Sequence, residues 1–503
     1  MDNLLHIENG GIVKRSDIPL VSFDRFATIL SEFVENDGYI VQFFALVEGD
    51  KNKLIAIVRN KQLFILSTEV GESFASLTAS ASEKFHMFER EIAEQYGIVP
   101  KDHPWLKMVR YHANYRGVPD AFGNNYNEDI PGNYSYFQVE GEAVHEVAVG
   151  PVHAGIIEPG HFRFQCSGEE VFSLEIQLGY QHRGVENLFT EVPFKRLPII
   201  AESIAGDTSI GHNLCCCQAL EALGGLSVDP GAQIVRSIGL ELERIANHIG
   251  DLGALSGDVA FNPPAAYFGR IRGEFLNLLQ VLCGNRFGKS LVLPGGITQI
   301  MTPEQSTIIE EKLKELEPEI RHVCDLLFSA HTVQARFEQT GTVSNQMAQD
   351  LGLVGYAGRA SGIEYDVRVT FPTESYKQLP ANRNEMTSGD VNSRATVRRE
   401  EISHSIHLIR LLLNKAGETS STTVMQDFTL EPDALVVTIN EGWRGELSHC
   451  LITDAGGKIE RYKVKDPSFH NWTGLAMSLR NEEISEFPLC NKSFNLSYCG
   501  FDL

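Results

Sequence analysis

Arg183-Gly184-Val185-Glu186, then fifteen residues, then Glu202-Ser203-Ile204-Ala205-Gly206-Asp207-Thr208, is the stretch from which the fold is read. Its counterpart stands far away near the C-terminus, as Asp466-Pro467-Ser468-Phe469-His470-Asn471. Each segment holds a pair of residues three apart, Ala205 with Thr208 and Ser468 with Asn471, and none of the four carries sulfur. Around them gather Arg183, Glu186, Glu202, Asp207, Asp466 and His470, a set of acids and bases that needs mutual hydrogen bonds or water if buried together.

The nine cysteines, at 166, 215, 216, 217, 283, 324, 450, 490 and 499, never show Cys-x-x-Cys spacing. Cys215-Cys216-Cys217 falls in an apolar stretch that reads as helix, where successive residues point about 100° apart and cannot converge on one metal. The run is expected to be buried as small hydrophobes. Unpatterned cysteines suit a reducing compartment better than a disulfide framework.

The chain has 503 residues, 66 Asp+Glu against 43 Lys+Arg and a formal charge of −23, which argues against direct binding of nucleic acid or anionic lipid. Its length predicts two to four domains. Met1-Asp2-Asn3-Leu4-Leu5 lacks a basic region followed by an apolar run, so no secretory signal is expected. No stretch approaches about 18 uninterrupted apolar residues, so no membrane span is expected either.

Periodicity predicts an N-terminal α+β domain over 1–123. It has a helix over 22–36, strands over 39–46, 54–59 and 63–67, and a second helix over 82–96 stopped by Gly97. The charges at 89–91 read as a salt-bridged surface of that helix. Residues 124–139, rich in Asn, Gly, Pro and Tyr, read as a linker. From 140 to 503, paired strands at 162–165 and 171–177 lead into helical patterns over 206–226, 232–254, 266–282, 303–329 and 394–414. Three strand-like runs, 434–440, 446–453 and 458–464, precede the second segment. Glu241, Glu243, Arg244 and His248 fall on two faces of one predicted helix. Solvated or interface charges are the expected reading, with passage of protons or strain toward a membrane partner as the other.

The two opening segments resemble the ligand segments of a nickel–iron hydrogenase large subunit, where each carries a Cys-x-x-Cys pair. Many further motifs resemble the energy-converting, membrane-bound members of that family and their complex I relative, the D-type (49 kDa-like) subunit. These are Gly150-Pro151-Val152-His153-Ala154-Gly155-Ile156-Ile157-Glu158-Pro159-Gly160-His161-Phe162, Leu240-Glu241-Leu242-Glu243-Arg244-Ile245-Ala246-Asn247-His248, Arg359-Ala360-Ser361-Gly362-Ile363, Ser388-Gly389-Asp390-Val391-x-Ser393-Arg394 and Pro488–Tyr498. Phe88-Glu89-Arg90-Glu91-x4-Tyr96-Gly97-Ile98 and His103-Pro104-x-Leu106 resemble the C-type (30 kDa-like) subunit of NADH:quinone oxidoreductase, which implies that this element docks the small domain against its neighbours, a role compatible with salt-bridged charges at 89–91. Fusion of a C-type to a D-type domain is similar to the plan of the formate hydrogenlyase large subunit. The resemblance implies an N-terminal α+β domain followed by a mainly α-helical hydrogenase-large-subunit-like domain with small peripheral antiparallel sheets.

Nickel and low-spin iron require soft thiolate ligands. With Ala205, Thr208, Ser468 and Asn471 at the four positions, the resemblance implies a frame without its nickel–iron centre. Glu186 stands where hydrogenases place a structural magnesium carboxylate, so Mg2+ is the one metal this reading leaves to the chain. Arg444, in Trp443-Arg444-Gly445, matches the arginine that overhangs the metal in catalytic relatives. With His153, His161, Arg183, Asp207, Thr208, His212, Asp466, Ser468 and His470 it forms the expected site. In the quinone-reducing relative a Tyr from the loop corresponding to 205–208 and a His hold the quinone head, but Gly206 falls at the Tyr position. The implied function is that of the large subunit of an energy-converting oxidoreductase complex, coupling electron transfer to ion movement. The expected partners are a small subunit with a [4Fe-4S] cluster, a ferredoxin-like subunit and antiporter-like membrane subunits. The expected location is cytoplasmic, at the inner face of the cell membrane through those partners. The alternatives are a non-catalytic scaffold, a quinone-site subunit of an NADH dehydrogenase, and, last, an active hydrogenase.

Overall fold

The computed structural model describes the chain except residues 1–3, 113, 118, 124–134, 154–156, 374, 382–384 and 416–427. Most of the expected linker therefore lies outside the described residues.

The predicted N-terminal elements form where the apolar spacing places them. Phe23–Glu35 is a helix burying Phe26, Ile29, Leu30, Phe33 and Val34. That face lies on an antiparallel sheet ordered Leu5–Ile7, Leu63–Val70, Lys51–Arg59, Tyr39–Glu48, to which Leu20–Val21 adds a short parallel strand. His86–Tyr96 is the second helix, closed by Gly97 at φ +65°, a backbone conformation that glycine adopts without a Cβ penalty.

The charges of this second helix are not on the surface. Glu89, Arg90, Glu91 and Glu94 are all buried, because each has a fixed partner. Glu89 accepts from the Ser76 hydroxyl and the Leu77 and Thr78 N–H groups. Arg90 donates to the carbonyls of Lys107 and Met108. Glu94 accepts the N–H groups of Val109, Arg110 and Tyr111.

The helical body is centred on Pro230–Asp258, which packs against Asn262–Cys283 and Val391–Lys415. Asp229 starts it by accepting from the Gly231 and Ala232 N–H groups, with Pro230 at the first helical position. Thr302 and Gln305 form a capping box for Pro303–Ser329. Ser209–Gly224 runs directly out of the first motif, and Ser468–Ser478 directly out of the second. The Cys215-Cys216-Cys217 run is buried, as its apolar setting requires.

Ile459–Lys465, Gly445–Thr453 and Ala434–Gly442 pair antiparallel, and the sheet is extended by Ile12–Lys14 from the other end of the chain. That strand is only three residues long and was not anticipated. A second tie joins the two sheets: Arg59 and Lys465 both pair with buried Glu446, and Gln42 donates to the Ser448 hydroxyl and carbonyl. A small three-stranded antiparallel sheet, Val144–Val149, His161–Ser167 and Glu170–Gln177, lies before the first motif.

Candidate functional site

The first motif loop meets Arg444, which sits at the tip of the hairpin joining Ala434–Gly442 to Gly445–Thr453, and Asp466 of the second loop lies close enough for its charge to act on that arginine. Its guanidinium forms a two-pronged ion pair with Asp207, Nη1 to Oδ1 and Nη2 to Oδ2, both 2.7 Å. Such bidentate pairs fix geometry as well as charge. Nε donates to the Asn495 carbonyl at 2.7 Å, and the Trp443 ring lies 4.0 Å beneath the guanidinium carbon. Asp207 is held in turn at its backbone carbonyl by Trp443 Nε1 and Asn247 Nδ2, each at 2.9 Å. Arg444 is buried, whereas the Asp207 side chain keeps 37% of its surface exposed. Asp207 is thus the solvent-facing member of the pair.

Behind Arg444 runs a fully buried polar relay. Burial keeps Tyr462 protonated and His449 neutral. The Tyr462 hydroxyl lies 2.7 Å from His449 Nδ1, His449 Nε2 lies 3.1 Å from His212 Nδ1, and His212 Nε2–H donates to Asp466 Oδ2 at 3.1 Å. The other Asp466 oxygen accepts the Ser468 N–H at 2.8 Å. Burial pushes the Asp466 carboxyl up, but the His212 hydrogen bond and the Arg444 charge outweigh it and hold it low. The relay ends on an ionised Asp466.

The four positions that the resemblance assigns to metal ligands have other work. Ala205 is buried without a donor atom, and its carbonyl accepts the Thr208 N–H. Thr208 Oγ1 lies 3.3 Å from both Arg444 Nη1 and Asp207 Oδ1. Ser468 Oγ accepts the Ser497 N–H at 2.9 Å. Asn471 pairs with the Val354 backbone in both directions, each at 3.1 Å. These are neutral oxygen donors already engaged in hydrogen bonds, a set that does not fit nickel or low-spin iron. Magnesium does not fit Glu186 as it stands, since its carboxylate is bound by Arg461 at 2.7 Å and Lys463 at 3.0 Å.

The remaining expected residues lie elsewhere. Arg183 clamps the first motif from outside, donating to the carbonyls of Ser203, Ile204 and Cys499. His470 packs its ring edge-on to Phe88, 5.3 Å between centroids, facing the N-terminal helix. His153 and His161 bond across their own loop, to the carbonyls of Gly160 at 3.0 Å and Gly150 at 3.1 Å. The structure thus gathers Asp207, Thr208, His212, Arg444, Asp466 and Ser468, and leaves Arg183, His153, His161 and His470 as neighbours that shape the frame.

Several positioning residues were not anticipated. Trp443, Asn247 and Asn495 hold the ion pair, and Gly355 lies against the arginine's backbone. Gly355 has φ +67°, and a Cβ there would stand 1.8 Å from the Arg444 carbonyl oxygen. Only the positive φ of a glycine opening a helix could have hinted at this, and φ cannot be read from a sequence.

The charges on Pro230–Asp258 are buried, not solvated. Glu241 is paired with Arg244 and Arg368, and Glu401 with Arg359, Arg244 and His248. Arg244 also donates to the carbonyls of Glu441 and Gly442, the strand end that carries Arg444. Glu243 accepts the N–H groups of Ile210 and Gly211 in the first turn after Thr208, at 2.8 and 3.2 Å. Burial pushes its carboxyl up to about 8, against those hydrogen bonds. Burial likewise pushes Glu94 and Asp502 up to about 7. A carboxyl whose pKa rises on folding takes up a proton as the chain folds. Between the unfolded values of 4.5 or 3.8 and the folded values, stability falls as pH rises, and the loss is complete above about 8. Denaturation midpoints are therefore expected to fall from pH 6 to pH 9, with a shallower slope in Glu243→Gln. Parallel slopes would mean that Glu243 is ionised in the folded chain.

Residues 258–431 match the family described as respiratory-chain NADH dehydrogenase, 49 kDa subunit. The chain is 31% identical to the carbon monoxide-induced hydrogenase of Rhodospirillum rubrum over 356 residues, covering 70% of this chain and 98% of that one. It is 26% identical to formate hydrogenlyase subunit 5 of Escherichia coli K12, covering 82% of this chain and 74% of the relative. Among solved structures, a chain of the archaeal membrane-bound sulfane sulfur reductase, a respiratory membrane complex, superposes with a TM-score of 0.67 at 23% identity, covering 72% of this chain and 99% of that one. This last likeness is one of fold. The order of motifs, the paired loops and the extent of these matches identify the chain as a member of the large-subunit family shared by membrane-bound hydrogenases and the 49 kDa subunit of respiratory complex I.

Proposed function

We propose that this chain is the peripheral large subunit of a membrane-bound, energy-converting oxidoreductase complex that works without a nickel–iron centre. Its relatives are subunits of membrane-bound hydrogenases and complex I-like assemblies. Among the described residues, no helix is long and apolar enough to cross a membrane, so the link to the bilayer runs through partners. In this reading residues 1–123 are the C-type domain and 140–503 the D-type domain, joined by 124–139. A neighbouring subunit carries the [4Fe-4S] cluster, a ferredoxin-like subunit feeds it, and antiporter-like subunits move the ion. The assembly sits on the cytoplasmic face.

The observation that carries the proposal is the Asp207–Arg444 pair. It occupies the first motif loop within reach of the Asp466 charge of the second, while the Thr208, Ser468 and Asn471 side chains are committed to hydrogen bonds and Ala205 has no donor. A fixed buried cation beside a partly exposed carboxylate is suited to a polar or anionic acceptor that displaces Asp207 and gains electrons against the guanidinium charge. The Asp466–His212–His449–Tyr462 relay keeps Asp466 ionised and oriented beside it. Quinone reduction in the manner of complex I finds no Tyr at Gly206, and both loop histidines are occupied. A chain of this fold serves a complex that reduces sulfane sulfur, so the fold does not require hydrogen as substrate. The proposal is tested by replacing Arg444 in the assembled complex and measuring donor oxidation. Loss with assembly intact supports a site here, and unchanged turnover supports a scaffold.

A further inference from the structure

Glu441 lies at the end of the strand Ala434–Gly442, just before Arg444, and its side chain has no exposed surface. Its carboxylate accepts one guanidinium N–H, from Arg359 Nη1 to Oε1 at 2.9 Å, and one backbone N–H, from Val367 to Oε2 at 3.1 Å. Arg359 is shared: it also donates to Glu401 Oε1 from Nε at 3.0 Å and Nη2 at 2.6 Å, and its Nη1 stands 3.8 Å from Asp366 Oδ2. The neighbouring acids are better supplied. Glu241 accepts from Arg244, Arg368, Tyr376 and Ser405, and Asp366 accepts from Nε and Nη2 of Arg368. Across the hairpin, Glu446 is the register partner of Glu441, a like charge on the same face, and it is paired with Arg59 and Lys465 and accepts the Tyr365 hydroxyl. Among the described residues, Glu241, Asp366, Glu401 and Glu441 thus share only Arg244, Arg359 and Arg368. His248 and His404, held neutral by burial, add no charge. One proton balances four carboxylates against three guanidiniums, and Glu441 has the fewest donors. Burial, with the Asp366 charge beside it, pushes its carboxyl up to about 7. At Glu241, Asp366, Glu401 and Glu446 the cations outweigh burial and hold the carboxyls low. A crevice of about 120 Å3 runs from exposed Val369 and Lys377 to Asp366, Arg368, Tyr376 and His404, room for a few waters at about 30 Å3 each. Asp366, whose side chain keeps 12% of its surface exposed, is the carboxylate between that crevice and Glu441.

We propose that Glu441 is a proton-binding site, loaded from the crevice through Asp366, which takes up and releases one proton as the charge at the Arg444 site changes. Loading moves a proton from crevice water to the Asp366 carboxylate and on to the Glu441 carboxylate, with no change of oxidation state. Two contacts tie this cluster to the site. Arg244 joins Glu241 to the carbonyls of Glu441 and Gly442. His248, 2.9 Å from Glu401, packs edge-on to Trp443, which holds the Asp207 carbonyl. Electrons delivered to an acceptor at Arg444 add negative charge, which favours the protonated form of a nearby carboxyl. The use of this proton in turnover rests on the function proposed above; the protonation of Glu441 does not.

Infrared difference spectra of the purified full chain between about pH 5 and pH 9, in H2O and D2O, read protonated carboxyls directly. Wild type is expected to lose a carboxyl C=O component with a midpoint near pH 7 that Glu441→Gln lacks. In Asp366→Asn, which removes the neighbouring charge, that midpoint is expected to fall. Glu94, Glu243 and Asp502 also titrate in this range and are expected to persist unshifted in both variants. Identical titrations in wild type and both variants overturn the proposal. Should Glu441→Gln fail to fold, Asp366→Asn decides: a component moved to lower pH upholds the proposal, and an unmoved titration overturns it. In the assembled complex, wild-type turnover is expected to change across pH 7, and Glu441→Gln is expected to lose that step. With Arg444→Met inactive, an unchanged profile in Glu441→Gln overturns the role in turnover and leaves the function proposed above standing. A fully active Arg444→Met overturns that function, and the role in turnover with it.

Discussion

Replacing Arg244 with alanine is expected to cost about 3–5 kcal/mol of folding stability, the range for removing one partner from a buried ion pair. Arg244 has no exposed side-chain surface and touches four groups: Glu241 at 3.1 Å, Glu401 at 3.6 Å, and the carbonyls of Gly442 and Glu441 at 2.9 and 2.7 Å. Its loss leaves the cluster of Glu241, Glu401 and Asp366 with only Arg359 and Arg368 as full cations. The surplus negative charge is out of reach of water. It also strips two strand-end carbonyls of their donor, and such unpaired groups are costly in their own right. Because those carbonyls precede Trp443-Arg444, the strand end that presents the site loosens with the fold. Denaturant midpoints of the purified chain provide the check. Arg244→Lys is expected to recover part of the loss, since it restores the charge but not the forked contact. A change of less than about 1 kcal/mol in the alanine variant would show a solvated cluster, which measures no more than that.

Arg444→Met is expected to lower turnover by about 10²-fold or more, the usual cost of removing one preorganised electrostatic donor from a reaction site. The substitution keeps a long apolar stem over Trp443 and leaves the hairpin backbone against Gly355 undisturbed, so assembly is expected to survive. What disappears is the guanidinium fixed by Asn495 and Asp207. Asp207 can turn into solvent, because its side chain is already partly exposed, so the structural penalty is small. Oxidation of reduced methyl viologen by the purified complex, with protons, polysulfide or a soluble quinone as acceptor, reads the effect. Turnover within about twofold of wild type, far short of the usual effect, would place the chemistry outside this chain.

The helices and strands were legible because their apolar residues recur at the period of the element that buries them. Phe26, Ile29, Leu30 and Phe33 mark one helix in this way, and Leu435, Val437 and Ile439 mark one strand by falling on the same face of the sheet. The strand Ile12–Lys14 escaped because three residues carry no period, and its partner is more than four hundred positions away. The loops that carry Asp207 and Asp466 were legible through their motifs, and so was Arg444 at the hairpin tip. The surface reading of the charges at 89–91 and the solvated reading of those at 241–248 failed for a common reason. A carboxylate looks like surface until its counter-charge is known, and Glu91 finds Lys463 while Glu241 finds Arg368. His470, His153 and Arg183 stand beside the right residues in the chain, but their side chains turn to Phe88, to Gly160 and to the Ser203 and Ile204 carbonyls. Side-chain direction is set by packing that spacing alone does not specify.

In the function proposed above, the hydrogenase frame works without its nickel–iron centre. Elemental analysis of the purified complex for nickel and iron, with this chain alone as control, tests it most directly. Iron is expected in the complex, with none in the isolated chain and no nickel in either. Stoichiometric nickel that stays with this chain would contradict it.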